Sequence, residues 1–156
     1  MVVADDPIGT EVAAAAGTDV EIVVNPHAGR GIASSLGAAL EALEDRPEVD
    51  SVVVGLGDQP LVGPEAYRRL AAASRDEGAE LVVATYRGAR ANPVLIARPL
   101  WSAACALTGD EGARALMRDH PVREVPCDGT GDPADVDRPG DLEALEARCA
   151  STTSSD

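Results

Sequence analysis

Hydrophobic residues along the chain fall into short runs rich in Val and Ile, separated by stretches in which apolar residues recur every three to four positions. The runs have the length of buried strands, and the stretches have the period of amphipathic helices. Alternation of the two is typical of an α/β domain with a mostly parallel sheet. The predicted strands are 20–24, 51–55, 80–84, 93–97 and 122–126, and the predicted helices are 32–43, 65–73, 100–107, 111–117 and 141–149.

The length of 156 residues predicts a single domain over residues 1–150, followed by a disordered tail, STTSSD, at 151–156. A short apolar run, VVA, at 2–4 predicts a strand end. It leads into a loop and a helix, whereas the first strand of a doubly wound sheet usually leads into a glycine-rich phosphate loop.

Charge narrows the classes of partner. The chain has 27 acidic and 13 basic residues, a net charge of −14, and all its basic residues are Arg. Such a surface repels nucleic acid and anionic membranes. Three widely spaced cysteines predict reduced thiols. The first residues do not have the pattern of a signal peptide, and no apolar run reaches membrane-spanning length, so we expect neither a leader nor a membrane span. We therefore expect a cytoplasmic protein without nucleic-acid or membrane partners.

The segment GLGDQP, residues 55–60, ends an apolar run with an isolated carboxylate, Asp58. Ligands of open parallel sheets bind outside the carboxyl ends of the strands, and Mg²⁺ is commonly held there by one or two carboxylates with water and substrate phosphates. Asp58 is therefore a candidate metal ligand. The alternative is a turn residue that accepts backbone N–H groups before Pro60, and the two interpretations are evenly balanced.

A second acidic segment, DVDRPGDL at 135–142, carries two carboxylates separated by one residue. Successive side chains of an extended segment point to opposite sides, so Asp135 and Asp137 share a face. They would complete a metal site with Asp58. The alternative is that Asp137 or Asp141 only favours the N-terminus of the next helix.

Glycines and hydroxyls follow the first long strand in NPHAGRGIASSL, residues 25–36. Glycines allow close backbone approach, and a helix N-terminus with Ser34 and Ser35 is suited to an anion or a base edge. The segment matches no standard phosphate-loop pattern. Plain helix capping by Ser34 is the alternative.

Arginines in two loops are candidate clamps for an anion in this acidic protein. They are Arg87 and Arg90 in RGARANP and Arg114 in TGDEGARAL, and the guanidinium fork suits bidentate binding of phosphate or carboxylate. Each could equally be a solvated surface residue. His27 and His120 lack a partner pattern, so we interpret both as structural or incidental.

Taken together, the motifs resemble those of the MobA-like NTP transferases, particularly the molybdenum cofactor cytidylyltransferase branch. The family patterns NPxWxxGMxSSL, LxxDQP, a GNP loop, LSGDxGAR and DIDTPEDL are similar to NPHAGRGIASSL, GLGDQP, RANP, LTGDEGAR and DVDRPGDL here. Five matches in the family order, over residues 20–145, are much more specific than any one of them.

The resemblance implies a Rossmann-like fold of the nucleotide-diphospho-sugar transferase type. It implies Mg²⁺ bound by Asp58 and Asp137, with Asp135 as the alternative to Asp137. It also implies that the nucleotide lies near Ser34, Ser35 and Gly57, and that the acceptor lies near Asn92, Asp110 and Arg114.

The implied activity is transfer of CMP, or another NMP, from an NTP to the phosphate of molybdopterin, with release of pyrophosphate. In such a reaction the protein mainly positions groups and neutralises charge. The nucleophile is already an anion, so no general base is required, which agrees with the lack of a credible His or Cys site. A molybdoenzyme or a chaperone is the implied protein partner.

The sequence also departs from the family pattern. The family begins with a glycine-rich LAAGxSxRMGxxK loop, whereas this chain has no such loop and no Lys. It therefore resembles the family from about the second strand onwards. We expect little pyrophosphate release by this chain alone, and an apolar sheet edge that associates with another chain. Smaller departures are Ala28 for Trp, Ala91 for Gly, Arg138 for Thr and Gly140 for Glu.

Two alternatives to a nucleotidyltransferase stay open. One is a catalytically inactive relative that binds a cofactor or a partner enzyme. The other is a small-molecule binding protein with the same type of sheet and no metal.

Overall fold

The computed structural model describes residues 2–4, 11–12, 14–15, 20–138, 140–141 and 143. The strands are β1 (Val2–Ala4), β2 (Ile22–Val24), β3 (Ser51–Val54), β4 (Leu81–Tyr86), β5 (Ala89–Ala97) and β6 (Arg123–Pro126). The helices are α1 (Ile32–Glu41), α2 (Pro64–Glu77) and α3 (Trp101–Cys105), and 3₁₀ turns occupy Ala28–Arg30, Arg98–Leu100 and Ala113–Arg118.

The main sheet has four strands in the order β3-β5-β4-β6. β5 is antiparallel to both β3 and β4, and β4 is parallel to β6. Thus β3, β4 and β6 run in one direction and β5 alone runs against them. β1 and β2 form a separate parallel pair. This arrangement confirms the predicted α/β class, although the main sheet is mixed, because β5 pairs antiparallel with both of its neighbours.

Helices cover both faces of the main sheet. Because side chains alternate along β4 and β5, these strands contribute to two apolar clusters. Helices α1 and α3 cover one cluster, and α2 covers the other. All six residues of β4 are buried, as expected of a strand in the middle layer of three. The first cluster includes Leu36, Leu40, Leu81, Val83, Val94, Ile96 and Trp101, and the second includes Ala66, Leu70, Val82, Ala84, Leu95 and Cys127.

Local signals set the ends of α2. Pro64 occupies the first turn after the extended Gly63, as its fixed φ favours. Gly78 ends the helix in the left-handed conformation, and its N–H donates to the Ser74 carbonyl at 2.9 Å. The helix extends to Glu77, beyond the predicted end at residue 73, and stops only where Gly78 adopts the left-handed conformation.

Two predicted segments differ in the structure. The helix predicted at 111–117 is instead a set of 3₁₀ turns over Ala113–Arg118. It begins two residues later than predicted because Gly112 is extended. The segment 87–93, interpreted as a loop, is mostly β5: only Arg87 and Gly88 form the turn, both with positive φ. The last predicted helix, 141–149, falls mainly outside the described residues, as does the tail.

β3 is bonded on one side only among the described residues. The Arg98 N–H donates to the Asp50 carbonyl at 2.7 Å, so Ser51 and Ala97 form a non-hydrogen-bonded pair. In the antiparallel pattern, Val52 and Val54 then bond to β5, and the N–H and C=O of Val53 point to the open edge.

The open edge leads to a prediction about association. We expect the purified chain to self-associate as its concentration rises, because an unpaired apolar edge pairs readily with another strand. Sedimentation velocity over a concentration series measures this. A monodisperse monomer that melts cooperatively at every concentration would contradict the prediction.

Within the described residues, no helix is both long enough and apolar enough to cross a membrane.

Candidate functional site

The GLGDQP segment begins where β3 ends. Successive turns follow the strand: the Gln59 N–H donates to the Leu56 carbonyl at 3.3 Å, and the Val62 N–H donates to the Gln59 carbonyl at 3.2 Å. The Asp58 side chain is exposed and accepts no hydrogen bond from the described residues. The turn therefore forms without the carboxylate of Asp58, which leaves it available to a ligand.

Residues 130–136 run antiparallel to this turn. The Gly63 N–H donates to Thr130 O at 3.0 Å, the Asp132 N–H donates to Leu61 O at 3.2 Å, and the Val136 N–H donates to Asp58 O at 2.7 Å. Three backbone hydrogen bonds thus place the second acidic segment beside Asp58. The structure brings together two motifs that lie more than 70 residues apart in the sequence.

The two segments approach so closely that glycine is required. Gly131 has φ of +140°, and a Cβ there would overlap the Leu61 carbonyl oxygen. A Cβ on Gly63 would overlap the Thr130 carbonyl oxygen. Glycine permits both the unusual φ and the short separation, so these positions fix the distance between the acidic segments.

Gln59 ties the segments together through its side chain. Its amide Nε2 donates to Asp135 Oδ1 at 2.7 Å and to the Pro133 carbonyl at 3.0 Å. Asp141 has a separate structural contact, since its Oδ2 accepts the N–H groups of Asp137 and Arg138 at 3.2 and 2.9 Å. Asp141 therefore stabilises the backbone at residues 137 and 138, within the second acidic segment.

The donor set suits a hard divalent cation. No group of three or more His, Cys, Asp or Glu side chains within the described residues is arranged to hold a metal. Asp58 and Asp137 offer carboxylate oxygens without protein donors among the described residues, and Asp135 is engaged by Gln59. Two carboxylates with water and substrate phosphates form an ordinary Mg²⁺ environment. Asp58 and Asp137 are therefore candidate ligands of a metal site that substrate oxygens would complete.

The NPHAGRGIASSL loop is organised around buried Asn25. Its Nδ2 donates to Ser34 Oγ at 2.9 Å and to Ser35 Oγ at 3.0 Å, and its Oδ1 accepts the His27 N–H at 2.9 Å. The Ser34 hydroxyl also reaches the carbonyls of His27 and Gly31, both at 2.9 Å. Ser34 is therefore engaged within the loop, whereas Ser35 has no acceptor for its proton among the described residues.

Close packing joins this loop to the TGDEGAR loop. The Ala33 N–H donates to the Gly109 carbonyl at 3.1 Å. Gly31 has φ of +102°, and a Cβ there would overlap the Gly109 carbonyl and lie 2.7 Å from Asp110 Oδ1. The segments predicted to contact nucleotide and acceptor are therefore held against each other by backbone.

A cavity of about 1320 Å³ lies among these loops. Three successive β3 residues, Val52 to Val54, line the cavity. Because their side chains alternate between the two faces of the sheet, the cavity must run along the open edge of β3. The wall that α1 contributes is apolar and includes Leu36 and Leu40. Of the predicted site residues, Ser35, Gly57, Asn92, Asp110 and Arg114 line the cavity.

Asn92 reaches the cavity from a bulge in β5. The register between β4 and β5 shifts between Val83 and Ala84, so that Asn92 and Pro93 have no direct partners on β4. Bulges near sites commonly re-aim a side chain. The RANP motif therefore marks this irregularity in the strand.

Arginines at the cavity differ in their availability. Arg90 pairs with Glu124 at 2.7 Å, and Arg118 pairs with Glu111, whose pKa this hydrogen bond lowers. Arg114 is exposed and has no ion-pair partner among the described residues. It is thus the guanidinium best placed to receive an anion. Arg87 lies at the hairpin turn, where its N–H donates to Asp128 Oδ1 at 2.8 Å, and does not line the cavity.

Sequence reasoning missed Tyr67 and the bridging contacts of Gln59. Tyr67 of α2 lines the cavity, and its hydroxyl occupies the space where a Cβ on Gly55 would lie. Burial raises the pKa of this phenol. A Tyr one turn into a helix carries no sequence signal for such a position, whereas Gln59 lies inside the DQP motif and could have been noticed.

The geometry agrees with comparisons to known proteins. Residues 1–125 match the model of the MobA-like NTP transferase domain. No match was found among curated protein sequences.

Several solved structures are similar to the chain. The homologue of Mycobacterium tuberculosis Rv0371c from Mycobacterium sp. strain JC1 is 30% identical, with a TM-score of 0.74, over 92% of this chain and 71% of that one. The M. tuberculosis Rv0371c structure in complex with manganese is 33% identical, with a TM-score of 0.66, over 88% and 73% of the respective chains.

A more distant structure supports the fold. The molybdopterin-guanine dinucleotide biosynthesis protein A of Archaeoglobus fulgidus is 18% identical, with a TM-score of 0.64, over 96% of this chain and 77% of that one. The match to the family model covers residues 1–125 of the 156 in the chain. The chain belongs to the MobA-like NTP transferase family.

Proposed function

We propose that the protein takes part in transfer of CMP from CTP to the phosphate of molybdopterin, in an Mg²⁺-dependent reaction that releases pyrophosphate. One observation carries the proposal: backbone hydrogen bonds hold residues 130–136 against the DQP turn, beside a cavity lined by the acceptor residues expected from the resemblance. The finer choices, cytidine and molybdopterin, rest on the resemblance to the cytidylyltransferase branch.

The metal site in this proposal uses Asp58 and Asp137. A divalent cation bound there would neutralise phosphate charge during transfer, which is worth several kcal/mol in reactions of this kind. The manganese complex of the similar Rv0371c supports a divalent cation in principle. Asp135 remains beside the pair, with one oxygen accepting the Gln59 amide.

The protein groups position the substrates. Ser35 and Gly57 lie on the cavity wall for the nucleotide, and Ser34 supports the loop through its internal hydrogen bonds. Arg114, which has no ion-pair partner in the described part of the chain, offers its guanidinium to the acceptor phosphate, and Asn92 and Asp110 offer polar groups to the acceptor ring. Because a phosphate oxygen attacks without deprotonation, none of these residues needs to act as a base.

The cytoplasm is the location we propose, from the acidic surface and the reduced cysteines. A molybdoenzyme or its chaperone is the proposed recipient of the product. Molybdopterin itself appears in the name of the A. fulgidus protein, which supports this acceptor only by shared fold.

Nucleotide titration tests the proposal. We expect CTP to bind more tightly than GTP or ATP in calorimetric titrations with Mg²⁺ present, and to lose this binding when EDTA replaces Mg²⁺. The physical reason is that the acidic site repels a triphosphate unless a cation bridges them. Binding that is unaffected by EDTA, or absent for every NTP, would contradict the proposed function. A pyrophosphate assay with molybdopterin then separates an active enzyme from a relative that only binds.

A further inference from the structure

We propose that Gln59 is a positioning residue of the metal site, which fixes the acidic segment so that Asp58 and Asp137 face one cation. The inference rests on the proposed function, because it concerns the same site. It goes beyond that proposal by assigning a side chain that positions the acidic segment beside Asp58 and by assigning different tasks to Asp135 and Asp137.

The contacts of Gln59 define its orientation. The amide nitrogen faces two acceptors, Asp135 Oδ1 at 2.7 Å and the Pro133 carbonyl at 3.0 Å. If the amide were rotated by half a turn, its oxygen would face the same two oxygens and both hydrogen bonds would be lost. Oε1 of Gln59 is buried and has no partner among the described residues. The side chain is therefore held by donation from Nε2.

These contacts give Asp135 a different environment from Asp58 and Asp137. Asp135 accepts a strong hydrogen bond that spreads part of its charge into the Gln59 amide. Asp58 and Asp137 accept no hydrogen bond from the described residues. Three carboxylates in adjoining segments repel one another, and the neutral donor reduces that repulsion for Asp135. The remaining two are left to the cation.

The backbone alone does not fix this arrangement. The last backbone hydrogen bond between the segments joins Val136 to Asp58, and Asp137 lies one residue beyond it. Asp141 holds the N–H groups of residues 137 and 138 within their own segment, whereas Gln59 adds two contacts between the segments, at residues 133 and 135. Groups that orient metal ligands in this way typically affect metal affinity by about 10–100-fold.

Replacement of Gln59 by Met tests the inference, because Met has a similar shape and no amide. We expect the apparent affinity for Mn²⁺ alone, measured by calorimetry on the full chain, to fall by about 10–100-fold. Ser74→Ala is the matched control: it removes one side-chain hydrogen bond, to the Ala79 carbonyl at 2.8 Å, at the far end of α2. The melting temperature of the metal-free protein should fall by a similar amount in both variants. The affinity for Mn²⁺ should fall only in Gln59→Met.

A double-mutant cycle with Asp135→Asn identifies the route. If Gln59 acts through Asp135, Gln59→Met should reduce Mn²⁺ affinity much less in the Asp135→Asn background than in the wild type. Equal reductions in both backgrounds, or wild-type affinity in Gln59→Met, would overturn the inference. Should the wild-type chain and Asp58→Asn bind Mn²⁺ equally, the metal site of the proposed function fails instead. If Asp58→Asn loses Mn²⁺ binding while Gln59→Met binds Mn²⁺ as the wild type does, only the positioning role of Gln59 is rejected.

Discussion

Asp58→Asn should greatly weaken Mn²⁺ binding and, with it, the metal-dependent binding of CTP. Asn keeps the shape of the side chain and removes the charged oxygen that a hard cation requires. The fold should survive, because the Asp58 backbone carbonyl, not its carboxylate, accepts the Val136 N–H. We expect Mn²⁺ affinity to fall by at least about 100-fold, beyond what loss of an orienting partner causes, as measured by calorimetric titration.

The control for this experiment is Asp76→Asn, which removes one exposed carboxylate near the end of α2, away from the cavity. The two variants have the same net charge, so a general loss of acidity affects them equally. If Asp58→Asn bound Mn²⁺ and CTP as the wild type does, Asp58 would be excluded from the site. The DQP carboxylate would then be a turn residue.

Gly131→Ala should destabilise the protein by roughly 3 kcal/mol or more, from its strained φ together with steric overlap. A methyl group there would meet the Leu61 carbonyl oxygen, and the two acidic segments would have to separate. We also expect weaker Mn²⁺ binding, because the separation moves residues 135–137 away from Asp58. Urea denaturation measures the first effect and calorimetry the second.

Gly129→Ala provides a close comparison. Gly129 also has a positive φ, +77°, but a Cβ there would have no neighbour within 4 Å. Only the conformational cost should appear, about 1–2 kcal/mol, with Mn²⁺ affinity unchanged. Equal destabilisation in the two variants would show that the close approach at Gly131 contributes little to holding the segments together.

The fold class followed from the sequence because buried strands and amphipathic helices have distinct apolar periods. β4 is buried along its whole length, as a continuous apolar run predicts. The helix that starts at Pro64 was located because proline has a single φ that suits the first turn. The direction of β5 was not predicted, since a two-residue Arg–Gly turn gives little local signal of a hairpin.

The site was predicted unevenly. The sequence motifs predicted five of the site residues. The structure places Asp58, Asp135 and Asp137 in adjoining segments, and it places Asn92 and Arg114 on one cavity. Ser34 and Ser35 were treated alike in the sequence, but their hydroxyls have different partners: Ser34 is engaged within its loop, and Ser35 lines the cavity. Hydrogen bonds between distant residues decide such differences, and no local pattern records them.

The sequence by itself determined the class of fold, the order of the motifs and the candidate carboxylates, because these depend on local period, turn chemistry and residue type. Only the tertiary structure decided that residues 130–136 lie against the DQP turn, that Gln59 engages Asp135, and that the cavity follows the open edge of β3. These features depend on contacts between residues far apart in the chain. Such contacts form when the sheet and its glycines bring backbone segments within hydrogen-bonding distance.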